Sequence, residues 1–365
     1  MKIDRKLIYS TGLGAFLFSY LIHNPSLQGA LYSDIVSFWY RLLELRSRIP
    51  YFDFGFEYPP LSGLVTYISA FAEDLINYYT IFSILILIFY LILIEVTSRI
   101  ASERGVGLEF LVIFLALSPS MILFMVYNFD VIFAALLVSS IYFFTKNRYF
   151  LSAIFFSLTA LAKLVNLILL PFFLMRIKDR RSRIMYAVIS LGFLTAVNLV
   201  IWALNPKFID ETYLYLVRWG LENAWFIALF PNEASWDTAK IFSAFLLCYG
   251  LLKVYLCDSR DIYVESFMVL SVFLLTSYIF TPQMAIWLLP LLAIMGRIPY
   301  SYYLFDFSNA AIILTWFQVS DPVKFGSIPQ NFAIMRAVLL FIMLLEVYYG
   351  SKRVMEVAPE VRFSS

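Results

Sequence analysis

The chain has 365 residues, of which 62% are hydrophobic and only 14% charged, with a formal net charge of +2 and a mean hydropathy of +0.82. A soluble globular domain carries about 25% charged and about half apolar residues, so this composition excludes one and gives an integral membrane protein. One histidine, His23, excludes a His-rich metal cluster, and two cysteines, Cys248 and Cys257 on one apolar run, read as helix residues and not as a disulfide.

Charged clusters punctuate the apolar runs, and the excess of Lys and Arg in cytosolic loops turns them into a topology. Lys2, Arg5 and Lys6 place the N-terminus in the cytosol. Residues 7–22 imitate a signal peptide, but His23-Asn24-Pro25 follows in place of a small-x-small cleavage site, so the run reads as a first membrane helix. The loop 23–78 then lies outside. Within it, residues 35–47 predict a helix with Ile35, Phe38, Trp39, Leu42 and Leu45 on one face and arginines opposite, a pattern suited to the membrane interface. Residues 58–72, after Pro59-Pro60, are apolar but short. A crossing there would strand Arg99 and Arg104 on the wrong side, so the stretch is expected to be interfacial or re-entrant.

Further helices are expected over 79–96, 108–126 and 131–145. The stretch 149–175 has basic clusters at both ends, which requires an even number of crossings in only about 27 residues. It therefore predicts two short helices hinged near Lys163, the lone charge within it. Helix 184–204 leads to an external segment over 205–238, rich in Trp and Tyr. Helices over 239–256, 262–280, 284–296, 301–318 and 332–350 follow. The fold class expected is an all-α integral membrane protein with about twelve transmembrane helices. It forms a single polytopic membrane domain over 1–365. Both termini are cytosolic, and the first external loop carries interfacial helices.

This topology gathers Asp34, Glu57, Asp130, Lys163, Arg218, Glu222 and Gln283 at the external face, whereas cytosolic charges form plain Arg/Lys clusters. Ionisable residues at or inside a membrane are functional candidates by default; Asp53, Glu73, Asp74 and Asp210 read as solvated loop charges. Two separated cations and an acid suit a lipid-phosphate substrate. Arg218 offers a bidentate fork and Lys163 a point charge, and Asp34 can take a proton from an attacking hydroxyl. A phosphate leaving group needs little protonation, so the scarcity of histidine is no obstacle.

The segment from Asp34 through Pro50-Tyr51 to Glu57-Tyr58-Pro59-Pro60-Leu61 resembles the first external loop of GT-C superfamily glycosyltransferases. More closely, it is similar to their polyprenol-phosphate-sugar-dependent mannosyltransferase branch. Asn128-Phe129-Asp130, and Ala160-Leu161-Ala162-Lys163 with Pro171, resemble that branch's Asn-x-Asp and Ala-x-Lys-x-x-Pro-like segments. Arg218-Trp219-Gly220-Leu221-Glu222-Asn223 resembles its Arg-x-Gly-x-Glu-Ser stretch. Thr281-Pro282-Gln283 with Trp287-Leu288-Leu289-Pro290 resembles its Ser-Pro-Gln and Trp-Leu-Leu-Pro run. The resemblance implies inverting transfer of a hexose, mannose first, from a polyprenyl- or dolichyl-phosphate donor to a glycan or glycolipid acceptor at the extracytoplasmic face. Asp34 would be the catalytic base. Asn128, Asp130, Lys163 and Arg218 would line the donor phosphate and sugar, and Glu57, Tyr58, Glu222 and Gln283 the substrate pocket. Membrane lipids are the expected surroundings, and nucleic acid is not an expected partner.

The sequence also departs from the pattern. Asp34 is flanked at two residues' distance by Tyr32 and Val36, so no Asp-x-Asp pair exists there and no cofactor or bridging metal is indicated, although Asp130 could complete a hard-cation site. After Lys163 the chain reads Leu-Val-Asn where Tyr-Pro is commoner. Two other readings stand beside the enzyme. A transporter also fits about twelve helices and a membrane-embedded lysine, but carriers show two related halves, and this chain has its charged loop and Asn-x-Asp turn in the first half alone. A non-catalytic subunit of a glycosylation complex would keep the pocket and dispense with Asp34.

Overall fold

The computed structural model describes residues 5–42, 49–257, 259 and 261–357. Among them the regular structure is helical, with two isolated bridge pairs and no named strand. The chain divides into two compact units, Met1–Trp219 and Gly220–Ser365. Four described helices are long and apolar enough to cross a membrane, and five shorter apolar ones accompany them. With the composition, this makes the chain an integral membrane protein.

In the first unit, α1 (Arg5–Ile22) leads to α2 (Asp34–Leu42), α3 (Pro60–Ser69) and α4 (Leu75–Glu103). The interfacial helix expected over 35–47 begins one residue earlier, at Asp34; its part beyond Leu42 up to residue 47 lies outside the described residues. Ile35, Phe38 and Trp39 are buried while Tyr40 and Arg41 are exposed, so α2 is two-faced. Ten-residue α3 is about 15 Å long, half a hydrocarbon core of about 30 Å. Pro60 begins it, where a missing N–H costs nothing. Gly63 on α3 is required by packing: a Cβ there would lie 2.2 Å from the hydroxyl of buried Tyr51. Asp74, expected to be a solvated loop charge, caps α4 by accepting from Asn77 N at 2.8 Å.

The helix expected over 108–126 is broken. α5 (Glu109–Leu111) runs into a π-turn over Val112–Ala116, and α6 (Pro119–Phe124) starts afresh. The reason is Pro119, which cannot donate to a preceding turn, with Ser118 capping the new helix through Met121 N at 3.3 Å. α7 (Asp130–Thr145) is the centre of this unit. It is apolar on every face, Val131 to Ile141 are all buried, and α4 and α8 (Tyr149–Ala162) pack along it. The chain breaks at Lys163, whose backbone is extended (φ −154, ψ 129), then continues as a 3₁₀ stretch over Leu164–Leu169 and α9 (Leu170–Arg176). α10 (Arg180–Leu204) packs on α8. Its outer face leaves Val188, Leu191, Leu199 and Val200 exposed, as a lipid-facing helix does. A π-turn over Asp210–Leu214 and α11 (Tyr215–Arg218) close the unit.

The second unit opens with irregular chain and holds α12 (Trp236–Cys257), α13 (Ile262–Thr276), α14 (Leu289–Met295), α15 (Tyr302–Trp316) and α16 (Ile328–Val357). α13 is buried along most of its length, with α12, α14 and α16 against it, and α15 packs on α16. The helix expected over 284–296 starts instead as a 3₁₀ turn, Pro282–Trp287, because Pro290 interrupts the α-helical bonding of the preceding turn. Cys248 and Cys257 are both free on α12.

Candidate active site

Asp34 is the first residue of α2 and half-buried. Asn128 Nδ2 donates to its Oδ2 at 2.6 Å and to the Tyr58 hydroxyl at 3.1 Å. The orientation of that amide has a cause. The Phe129 N–H, which can only donate, bonds Asn128 Oδ1 at 2.6 Å and so turns the NH₂ group towards Asp34. The loop reaches the helix through Ile35 N, which donates to Tyr127 O at 3.3 Å. Beneath this polar group lies an aromatic floor. Phe38 stacks on Phe129 at 5.5 Å between centroids, and Tyr58 leans on Phe129 at 5.1 Å and on Phe38 at 5.5 Å. Rings of this size hold the site by area and quadrupole contact. Burial pushes the Tyr58 phenol well above its ordinary range, and the carboxylates of Asp34 and Glu57 add to the shift. Tyr58 is therefore a neutral O–H that accepts from Asn128 and keeps its own proton for another acceptor.

Two residues beyond Asn128, Asp130 opens α7 with 0% exposure and accepts from Lys163 Nζ at 2.7 Å, the lysine side chain being 12% exposed. Lys163 reaches it because the chain is extended there, between α8 and the 3₁₀ stretch. The bond to Asp130 orients the ammonium. The carboxylate also sits at a helix N-terminus, where negative charge is favoured.

The remaining expected site residues have the following surroundings. Glu57 pairs with Arg41 at 2.6 Å. Partial desolvation works against the Arg41 charge, but the Glu57 carboxylate, with Tyr58 and Asp34, holds the guanidinium's affinity for its proton above the usual value. Arg218 is exposed, and both its terminal nitrogens bond the carboxylate of Asp210. Asp210, expected to be a plain loop charge, is thus the arginine's partner. In the second unit, Glu222 N donates to Tyr278 O at 3.0 Å and Phe280 N to Glu222 O at 3.0 Å. This bridge joins the Arg-x-Gly-x-Glu and Thr-Pro-Gln segments. Gly220 is fixed as glycine because a Cβ would lie 2.2 Å from the Trp236 ring. Gln283 is 6% exposed, and its Oε1 has no hydrogen-bond partner among the described residues.

Two further charged residues lie outside the expected set. Arg41 pairs with Glu57, and the sequence shows it only as part of the polar face of a surface helix. Arg336 is 0% exposed, and its signal is a lone arginine inside an apolar helix.

The class is therefore an all-helical membrane protein with a carboxylate–amide–phenol group and a buried lysine–carboxylate pair in one unit. The chain matches the model of glycosyltransferase family 87 over residues 56–277, more than half its length, and it belongs to that family. This bears out the GT-C type glycosyltransferase recognised from the motifs and sets the transporter reading aside. Asp34 lies before the matched stretch and Gln283 shortly after it; the other expected site residues lie within it. Among solved structures, the chain is similar to the crystal structure of ArnT from Cupriavidus metallidurans bound to undecaprenyl phosphate. The TM-score is 0.48 with 14% identity, over 98% of this chain and 80% of that one. No curated protein matches it.

Proposed function

We propose that the protein transfers a hexose, most simply mannose, from a polyprenyl- or dolichyl-phosphate donor to a glycan or glycolipid hydroxyl at the extracytoplasmic membrane face, with Asp34 as general base. Glycosyl transfer itself follows from family membership. The observation that supports the base assignment is the half-buried Asp34 carboxylate held by Asn128 Nδ2 at 2.6 Å. A base must be fixed in direction yet reachable, and this one is both.

In the proposed step the acceptor hydroxyl gives its proton to Asp34 while its oxygen attacks the anomeric carbon. The bond from that carbon to the phosphate oxygen breaks, the polyprenyl phosphate leaves with the electron pair, and the configuration inverts. Lys163, oriented by Asp130, brings its positive charge to the phosphate. Arg218 can exchange Asp210 for a phosphate oxygen at little cost, because an ion pair between exposed groups is worth about 0–1 kcal/mol. Tyr58 donates its O–H to a sugar oxygen beside Asn128.

The experiment is incubation of the purified protein with radiolabelled polyprenyl- and dolichyl-phosphate mannose and glucose in membranes of its host, with and without EDTA. Label moving to an acceptor fixes donor and sugar together, and loss with EDTA would reveal a metal requirement. Absence of transfer from every lipid-phosphate donor would overturn the reading.

A further inference from the structure

Arg336 lies on α16, in the stretch Ile328–Ser351 that is long and apolar enough to span a membrane, and is 0% exposed. A guanidinium cannot shed its charge in a protein, and removing a cation from water is costly unless a partner compensates. No carboxylate pairs with it among the described residues. Nη1 donates to Asn309 Oδ1 at 2.8 Å, and Nη2 donates to Asn223 O at 2.7 Å and to Phe280 O. The guanidinium carbon lies over the Phe280 ring, 3.6 Å from its centroid, which adds a cation–π contact.

These bonds converge on two segments. Asn223 follows Glu222, and Phe280 precedes Thr281-Pro282-Gln283. Asn309 on α15 donates from Nδ2 to Pro282 O at 2.9 Å, and Gln330 on α16 donates from Nε2 to Ala224 O at 2.7 Å. The carbonyls of Asn223, Ala224, Phe280 and Pro282 are thus all held by side chains of α15 and α16. Asn223 also has φ 52, a left-handed conformation that asparagine adopts more readily than most non-glycine residues. Packing alone would be served as well by an apolar residue of similar volume. A cation spent on backbone carbonyls serves the shape of those two segments.

We infer that Arg336 is a positioning residue which, with Asn309 and Gln330, fixes Glu222–Ala224 and Phe280–Gln283 in the conformation that sugar transfer uses. The inference rests on the proposed sugar transfer and on the expectation, drawn from the resemblance, that Glu222 and Gln283 line the substrate pocket. The frame that supports them lies beyond residue 277, where the family match ends.

The test compares wild type, Arg336→Met, Arg336→Lys and Asn309→Ala in detergent. The first readout is amide hydrogen exchange, which needs no substrate. Arg336→Met should speed exchange at Glu222 and Phe280, the two bridging N–H groups, by about ten-fold or more, with exchange in the first unit unchanged. The second is transfer from polyprenyl-phosphate mannose. Arg336→Met should lower kcat by about ten-fold or more at an unchanged donor KM, and Arg336→Lys should recover part of it. Unaltered exchange at both amides overturns the inference. Faster exchange with full kcat also overturns it, by making the frame structural. If wild type transfers nothing from the lipid donor, the functional proposal fails by itself, and the exchange result still decides whether Arg336 holds the segments. If Arg336→Met does not fold, Asn309→Ala, which cuts the bonds to Arg336 and to Pro282 O, is read by the same two criteria.

Discussion

Asp34→Asn separates the chemistry of Asp34 from its place in the fold. The substitution keeps shape and volume and removes the charge. Asn128 Nδ2 now donates to Asp34 Oδ2 at 2.6 Å; an amide side chain at position 34 can present its own oxygen to the same donor, so that bond is retained in neutral form. A charge-assisted hydrogen bond is roughly twice as strong as a neutral one, and a typical bond contributes about 1 kcal/mol net, so stability should fall by no more than about 1 kcal/mol. Transfer should fall far more, because losing a positioned general base costs about 10²–10⁴-fold. That range corresponds to about 3–5 kcal/mol of barrier. The assay is initial rate with a labelled polyprenyl-phosphate sugar, alongside thermal unfolding of the same detergent-solubilised sample. A variant within about three-fold of wild type would refute the assignment of Asp34 as base. A variant that has lost its unfolding transition would refute the claim that the bond to Asn128 is retained.

The Lys163–Asp130 pair should behave as a unit. Lys163→Met or Asp130→Asn alone should each cost about 3–5 kcal/mol, since either strands a buried charge. The double variant should cost less than the sum, and agreement with the sum within about 0.5 kcal/mol would remove the coupling. Lys163→Ala should raise the donor requirement, read as KM for the lipid phosphate. Tyr58→Phe keeps the ring on Phe129 and loses the hydroxyl that Asn128 bonds. It should leave unfolding within about 1 kcal/mol of wild type while slowing transfer, and an unchanged rate would take Tyr58 out of the site. Gly63→Ala, which drives a methyl into the Tyr51 ring, should destabilise by about 1–3 kcal/mol, measured by thermal unfolding.

What the sequence by itself determined is local. Apolar runs of membrane length, the prolines that end them and the lone lysine that splits 149–175 are all short-range signals, and helices, those at Pro119 and Pro290 excepted, stand close to where those signals place them. Motif order carried the family. Tertiary structure alone decided which polar groups meet. Asp34 and Asn128 are 94 residues apart, and Arg336 and Asn223 are 113 apart. No periodicity links such positions, because a uniformly apolar helix such as α7 carries no stripe to say which neighbour it faces. The same packing gave Arg218 a local partner in Asp210, and it turned Arg336 from one more helix residue into the support of two carbonyls, those of Asn223 and Phe280. In an apolar medium a buried donor without an acceptor is costly. The search for those acceptors, settled only when the helices are assembled, is what built both polar clusters.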